Sequence, residues 1–187
     1  MRRLVAIAAA VGLLAVAGCS DLEGTDGKDY VGGEGQIVVI PPEDRGGPVE
    51  ASGPDLNGDE LDLEDYRGRV VVANVWWSGC GPCRREMPLL DTVVGEVGDD
   101  AVLLGVNTRD SSADNALAFV RGVDVDFPSF YDQGGEVLLE FPRIRPNALP
   151  STAVLDREGR LAALVTGEIT STVTLRDVID DVVAEDG

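Results

Sequence analysis

The segment that most restricts the fold is Arg69–Trp76, Arg-Val-Val-Val-Ala-Asn-Val-Trp. A strand of alternating polarity can leave one face in water, but a near-continuous apolar, β-branched run must be covered on both faces. Four residues further on, Cys80-Gly-Pro-Cys83 opens a stretch, Pro82–Val94, with helical patterning. A strand that ends in a turn and enters a helix is half of a βαβ unit, and the downstream chain supplies more of the same. Ala101–Val106 reads as a second buried strand, and Ser112–Arg121 as a helix with a serine cap and an apolar face at Ala116, Phe119 and Val120. Gly135–Phe141 reads as a short helix. Ser151–Leu155 and Leu161–Val165 are strands joined by the turn Asp156–Gly159, and Thr172–Ala184 is an amphipathic helix with Val173, Val178, Ile179, Val182 and Val183 turned inward. Upstream, Leu56–Leu61 reads as a hairpin around Asn57-Gly58. The alternation predicts an α/β three-layer sandwich: a mixed central sheet with helices on both faces, and the final hairpin as an antiparallel edge.

The 187 residues suit one domain, and their ends carry other signals. Arg2 and Arg3 precede an uncharged run, Leu4–Gly18, of 15 residues. A spanning helix needs roughly 20 apolar residues, so the run reads instead as a secretory signal peptide. It ends Leu14-Ala-Val-Ala-Gly-Cys19, which resembles the lipobox of bacterial lipoproteins, in which cleavage precedes a lipid-modified cysteine. The alternative is an ordinary signal peptide with an incidental Cys19. The lipoprotein reading gives residues 1–18 as signal peptide, a diacylglycerol on Cys19, and a location on the outer side of the cell membrane. Residues 19–53, rich in Gly, Asp, Glu and Pro, read as an acidic tether, with Gln36–Ile40 as a β-prone island. The domain proper is expected over 54–187.

Composition removes whole classes of function. Lys and Arg number 15 against 34 Asp and Glu, a net charge of −19, which repels nucleic acid and anionic lipid. The chain has no histidine, so Ser-His-Asp and Cys-His nucleophiles and His-ligated metals are excluded. Of three cysteines, two form a Cys-x-x-Cys beside a βαβ pattern, the spacing of a thioredoxin-like redox pair. Cys80 is expected at a helix N-terminus, where unpaired amides and the helix dipole favour the thiolate that attacks disulfides. Cys83, one turn later, is placed to resolve the mixed disulfide. Two other readings are a structural disulfide and half of a four-cysteine zinc site. The first closes too short a loop to stabilise much, and the second lacks another cysteine pair. No metal and no cofactor besides the disulfide are expected.

Arg69–Pro88, with Cys80, Cys83, Glu86 and Pro88, resembles the active-site segment of the TlpA/ResA-like branch of the thioredoxin superfamily, in which Cys-x-x-Cys is followed by x-x-Glu-x-Pro. Gly58–Gly68, Leu104–Asn107, Phe127-Pro128 and Leu149–Asp156 follow in the family's order, so the resemblance covers about residues 56–184. It implies an attacking Cys80, a resolving Cys83, and a Glu86 that exchanges protons with Cys83; the alternative for Glu86 is a first-turn acid complementing the helix dipole. It also implies that Pro150 is the family's cis-proline facing the cysteines, with Leu149 lining the substrate groove. The chain departs from the family at Gly79, where a tryptophan is usual, which predicts thinner apolar cover over the thiols. Asn74 stands where thioredoxin has a buried Asp, leaving Glu86 as the candidate for its role.

The branch implies a thiol–disulfide oxidoreductase acting on protein substrates and recharged by a membrane electron donor such as a thiol transporter. Gly-Pro between the cysteines favours a reductant, as in cytochrome c maturation; a disulfide-forming oxidant is the alternative. A peroxiredoxin needs a Thr shortly before its cysteine, and Trp77-Ser78-Gly79 offers none. A copper carrier of the SCO type needs a histidine. A redox-inert binding lipoprotein is the remaining class.

Overall fold

A computed structural model of the chain describes residues 30–31 and 36–185. Cys19 and residues 1–18, read above as a signal peptide, lie outside them. At the centre is β5 (Val70–Trp76), whose seven residues are all buried. Its side chains alternate between two cores. Val71, Ala73 and Val75 face one, with Leu104, Val106, Phe130 and Leu155. Val70 and Val72 face the other, with Leu90, Val93, Val154 and Ile179.

The seven-stranded sheet has the order β1-β2-β9-β8-β5-β6-β7. β6 (Ala101–Thr108) runs parallel to β5, and β7 (Ser129–Asp132) parallel to β6. On the other side β8 (Ser151–Leu155) and β9 (Leu161–Thr166) are antiparallel to their neighbours, as are β2 (Gln36–Val39) and β1 (Tyr30–Val31). Helices α1 (Gly81–Val97) and α4 (Thr172–Ala184) cover one face. α2 (Ala113–Val123) joins them near the end of β5, where Phe119 stacks on Trp76 with ring centroids 5.3 Å apart. The other face carries α3 (Glu136–Leu139) and a two-stranded hairpin, β3 (Ser52–Pro54) and β4 (Glu60–Asp62). This is the expected three-layer α/β sandwich with a thioredoxin-like fold.

Several sequence-based expectations change in detail. The β8–β9 hairpin is interior, because β2 pairs with β9 and becomes the outer neighbour. Residues 36–53 therefore belong to the folded domain and not to a tether: Ile37, Ile40, Val49 and Ala51 are buried. Their apolar side chains are diluted by Gly, Pro and acids, which hides them from a composition-based reading. The strand β7 carries no sequence signal because its four residues, Ser129–Asp132, are too few for a periodic pattern. In α4 Ile179 and Val182 are buried and Val178 and Val183 pack against the same core as expected; Leu175 joins them, while Val173, 68% exposed in the first turn, faces solvent.

Candidate functional site

β5 ends at Trp76, and Cys80 caps α1. The Cys80 Sγ accepts a hydrogen bond from the Cys83 amide at 3.1 Å. Pro82 lies in the first helical turn, where its missing N–H costs nothing. Cys80 and Cys83 form a disulfide, with Cα atoms 5.3 Å apart. Cys83 is fully buried and Cys80 is 8% exposed, so Cys80 is the more accessible of the two. The same end of α1 holds the partial positive charge of the helix, which stabilises a Cys80 thiolate once the bond is reduced.

Glu86 lies one turn beyond Cys83 on the same buried face of α1 and is itself fully buried. Its Oε1 accepts from the Asn74 side chain at 2.8 Å, and its Oε2 from the Ile169 amide at 2.9 Å. Burial pushes its pKa up to about 7, against the two hydrogen bonds, which favour the charged form. A surface acid complementing the helix dipole would look different; this carboxyl ties α1 to the central strand and to the loop before α4. Asn74 Nδ2 also donates to Thr152 Oγ1 at 3.0 Å. The position of thioredoxin's buried Asp is thus filled by an amide that holds the glutamate on the neighbouring helix.

The Leu149–Pro150 peptide is cis. Leu149 packs against the cluster that contains Cys80, Cys83, Trp76 and Met87. The Pro150 carbonyl accepts from the Gly167 amide at 2.9 Å, and Ser151 Oγ donates to the Ala148 carbonyl at 2.6 Å, which fixes the loop. The fold thus brings Cys80, Cys83 and Leu149 together at one end of the sheet, with Pro150 next in the chain and Glu86 beneath.

At position 79 the expected thin cover is absent. A Cβ there would lie 2.5 Å from a ring carbon of Trp77, so the indole from two residues upstream occupies the space a side chain would fill. Trp77 is half-buried against the cysteine cluster. A side chain at 79 would have to displace the Trp77 ring.

Asp110 escaped the sequence reading. It is buried at the end of β6, and its carboxylate accepts from both the backbone N–H and the hydroxyl of Ser78 and, at 2.7 Å, from Asn107 Nδ2. The carboxylate clamps the turn that delivers Cys80. In sequence, Asp110-Ser-Ser looks like the approach to a helix cap, and only the pairing of β5 with β6 brings it to Ser78.

A disulfide at the mouth of a helix, a buried carboxyl one turn below it and a cis-proline loop beside it define a thioredoxin-fold Cys-x-x-Cys protein. The chain belongs to the AhpC/TSA family, whose model matches residues 48–164. The thiol-disulfide oxidoreductase ResA of Bacillus thuringiensis subsp. konkukian is 31% identical over 119 residues, and ResA of Geobacillus thermodenitrificans is 33% identical over 117. Each match covers 62% of this chain and 65% of the relative's length, just under two thirds. Among solved structures, a DsbF homologue from Corynebacterium diphtheriae is 32% identical with a TM-score of 0.73, covering 84% of this chain and 99% of that one. A secreted thiol-disulfide isomerase from Corynebacterium glutamicum is 29% identical with a TM-score of 0.74, covering 79% and 92%.

Proposed function

We propose that the chain is an extracytoplasmic protein thiol–disulfide oxidoreductase. The observation that carries this reading is the asymmetry of the pair: a more accessible Cys80 at the helix N-terminus beside a fully buried Cys83 one turn on. In the reduced enzyme the Cys80 thiolate attacks one sulfur of a substrate disulfide, forming a mixed disulfide and releasing the substrate's other thiolate. Cys83 then loses its proton and attacks the Cys80 sulfur. This frees the second substrate thiolate and closes Cys80–Cys83, so two electrons pass to the substrate. Glu86, with a pKa of about 7, is suited to take the Cys83 proton. Trp77 and Leu149 form the apolar surroundings in which the mixed disulfide is held.

We take the direction to be reduction, on the Gly81-Pro82 dipeptide between the cysteines, with re-reduction by a membrane thiol donor and haem-attachment cysteines among its substrates. We place the protein on the membrane through a lipid on Cys19. Among the described residues no helix is long and apolar enough to cross a membrane. A peroxidase on this fold finds no support, since Trp and Ser stand at 77 and 78 where it needs a threonine.

Trapping tests the assignment. Reduced Cys83→Ser protein incubated with a disulfide-bonded protein should accumulate a mixed disulfide through Cys80, while Cys80→Ser should accumulate none. Equal trapping by both variants, or by neither, would remove the assigned roles.

A further inference from the structure

The cations of this acidic chain are unevenly placed around the site. From Phe141 to Leu155, the stretch that contains Leu149 and Pro150, there is no acidic residue, although the chain holds 34 of them. The same stretch carries Arg143 and Arg145, both exposed. A third guanidinium joins them: Arg109, at the end of β6, donates to the Pro146 carbonyl at 2.6 Å. Among the described residues none of the three has an ion pair with a carboxylate; Arg67, Arg69, Arg84 and Arg121 have none either but do not line the groove, while Arg45, Arg85, Arg157, Arg160 and Arg176 are paired.

Arg143 and Arg145 line a groove of about 220 Å³. Its floor is the β2–β9 pair, through Val38, Leu164 and Thr166, and Ala148 closes one end. Ala148 precedes Leu149, which packs with the cysteines, and Thr166 pairs with Ser151 just after the cis-proline. The groove therefore adjoins the cis-proline loop that packs beside the cysteines.

We propose that this groove binds an acidic segment of the protein substrate, flanking the substrate cysteine. The proposal rests on the oxidoreductase reading and names its substrate class. A polypeptide is the occupant because the neighbouring disulfide reacts with a cysteine-bearing partner. A nucleic acid is disfavoured because three guanidiniums form too small a patch against a net charge of −19. Unpaired arginines close to the reaction centre raise the encounter rate of an acidic partner and set its register, while carboxylates elsewhere repel it from the rest of the surface.

The oxidised full chain is titrated into two fluorescent, cysteine-free peptides, one Glu-rich and one Lys-rich but otherwise identical, and anisotropy is read at low salt. The Glu peptide should bind roughly tenfold more tightly than the Lys peptide, and the difference should vanish at about 0.5 M NaCl. In R143G/R145Q the affinity for the Glu peptide should fall roughly tenfold. Arg143 has a φ of +66°, which glycine adopts freely, so the fold is kept, and a circular dichroism spectrum checks this. Arg121→Gln, on α2 at the other face of the sheet, should leave the affinity unchanged. Equal affinity for the two peptides, tighter binding of a single-stranded oligonucleotide, or an unchanged affinity in the double variant would overturn the proposal. A second arm gives each peptide one cysteine as a glutathione mixed disulfide and follows exchange with the reduced chain. Glu-peptide binding without exchange would retain the groove and remove the oxidoreductase reading. Exchange of both peptides at one rate would do the reverse.

Discussion

At Glu86, burial and hydrogen bonding pull in opposite directions, and burial wins. Its folded pKa, about 7, lies above the unfolded value of 4.5, so the folded chain holds this proton more tightly. The stability linked to it is complete below about pH 4.5 and is lost as pH rises through about 7, a loss of about 3 kcal/mol by pH 8. Glu86→Gln removes the titration. Urea midpoints measured from pH 5 to 8 should fall for the natural chain and stay flatter for the variant; parallel curves would contradict the assignment. In the reduced protein the same variant should lower the Cys83 pKa, because a nearby negative charge is gone. Position 79 makes a second residue-scale prediction. With Trp77 carbons within 2.5–2.9 Å of the site of a Cβ, Gly79→Ala must displace the indole. A loss of about 1–3 kcal/mol and a shifted tryptophan emission are expected, and an unchanged spectrum would show that the ring was not seated there. The cysteine pair and Glu86 were legible as residue types at fixed spacing. The Asp110 clamp and the Trp77 cover were not, since each depends on where a turn folds back.

Among the elements, those with strong periodicity were readable; of the two short strands built by pairing, β2 showed only as a β-prone island at 36–40 and β7 did not show. The all-apolar β5 announces a strand covered on both faces, and Ser112 and Ser171 cap their helices with side chains that accept from Asn115 and Thr174. β2 and β7 are four residues each and gain their strand character from β9 and β6. The consequence is testable. A chain shortened to begin at residue 54 loses β2 together with the buried Ile37, Ile40, Val49 and Ala51, and leaves the β9 edge unpaired. Burial of each larger apolar side chain contributes about 1.5–3 kcal/mol, so a melting temperature lower by more than about 10 °C, or no cooperative transition, is expected. An unchanged melting temperature would return residues 36–53 to the role of a tether.

For the molecule as a whole, the architecture sets a reactive pair on a stable frame. The disulfide spans a separation of three residues, so closing it adds little to the entropy already removed by folding. Its position at the helix mouth then controls the redox balance, because the helix favours the reduced thiolate. The measurement that tests this most directly is the midpoint potential of Cys80–Cys83, read by alkylation after equilibration with graded dithiothreitol and glutathione buffers. A working reductant should lie near about −270 mV, and a value near about −120 mV would reverse the direction to oxidation. A midpoint well below about −300 mV, where structural bridges sit, would contradict the claim that this bond turns over at all.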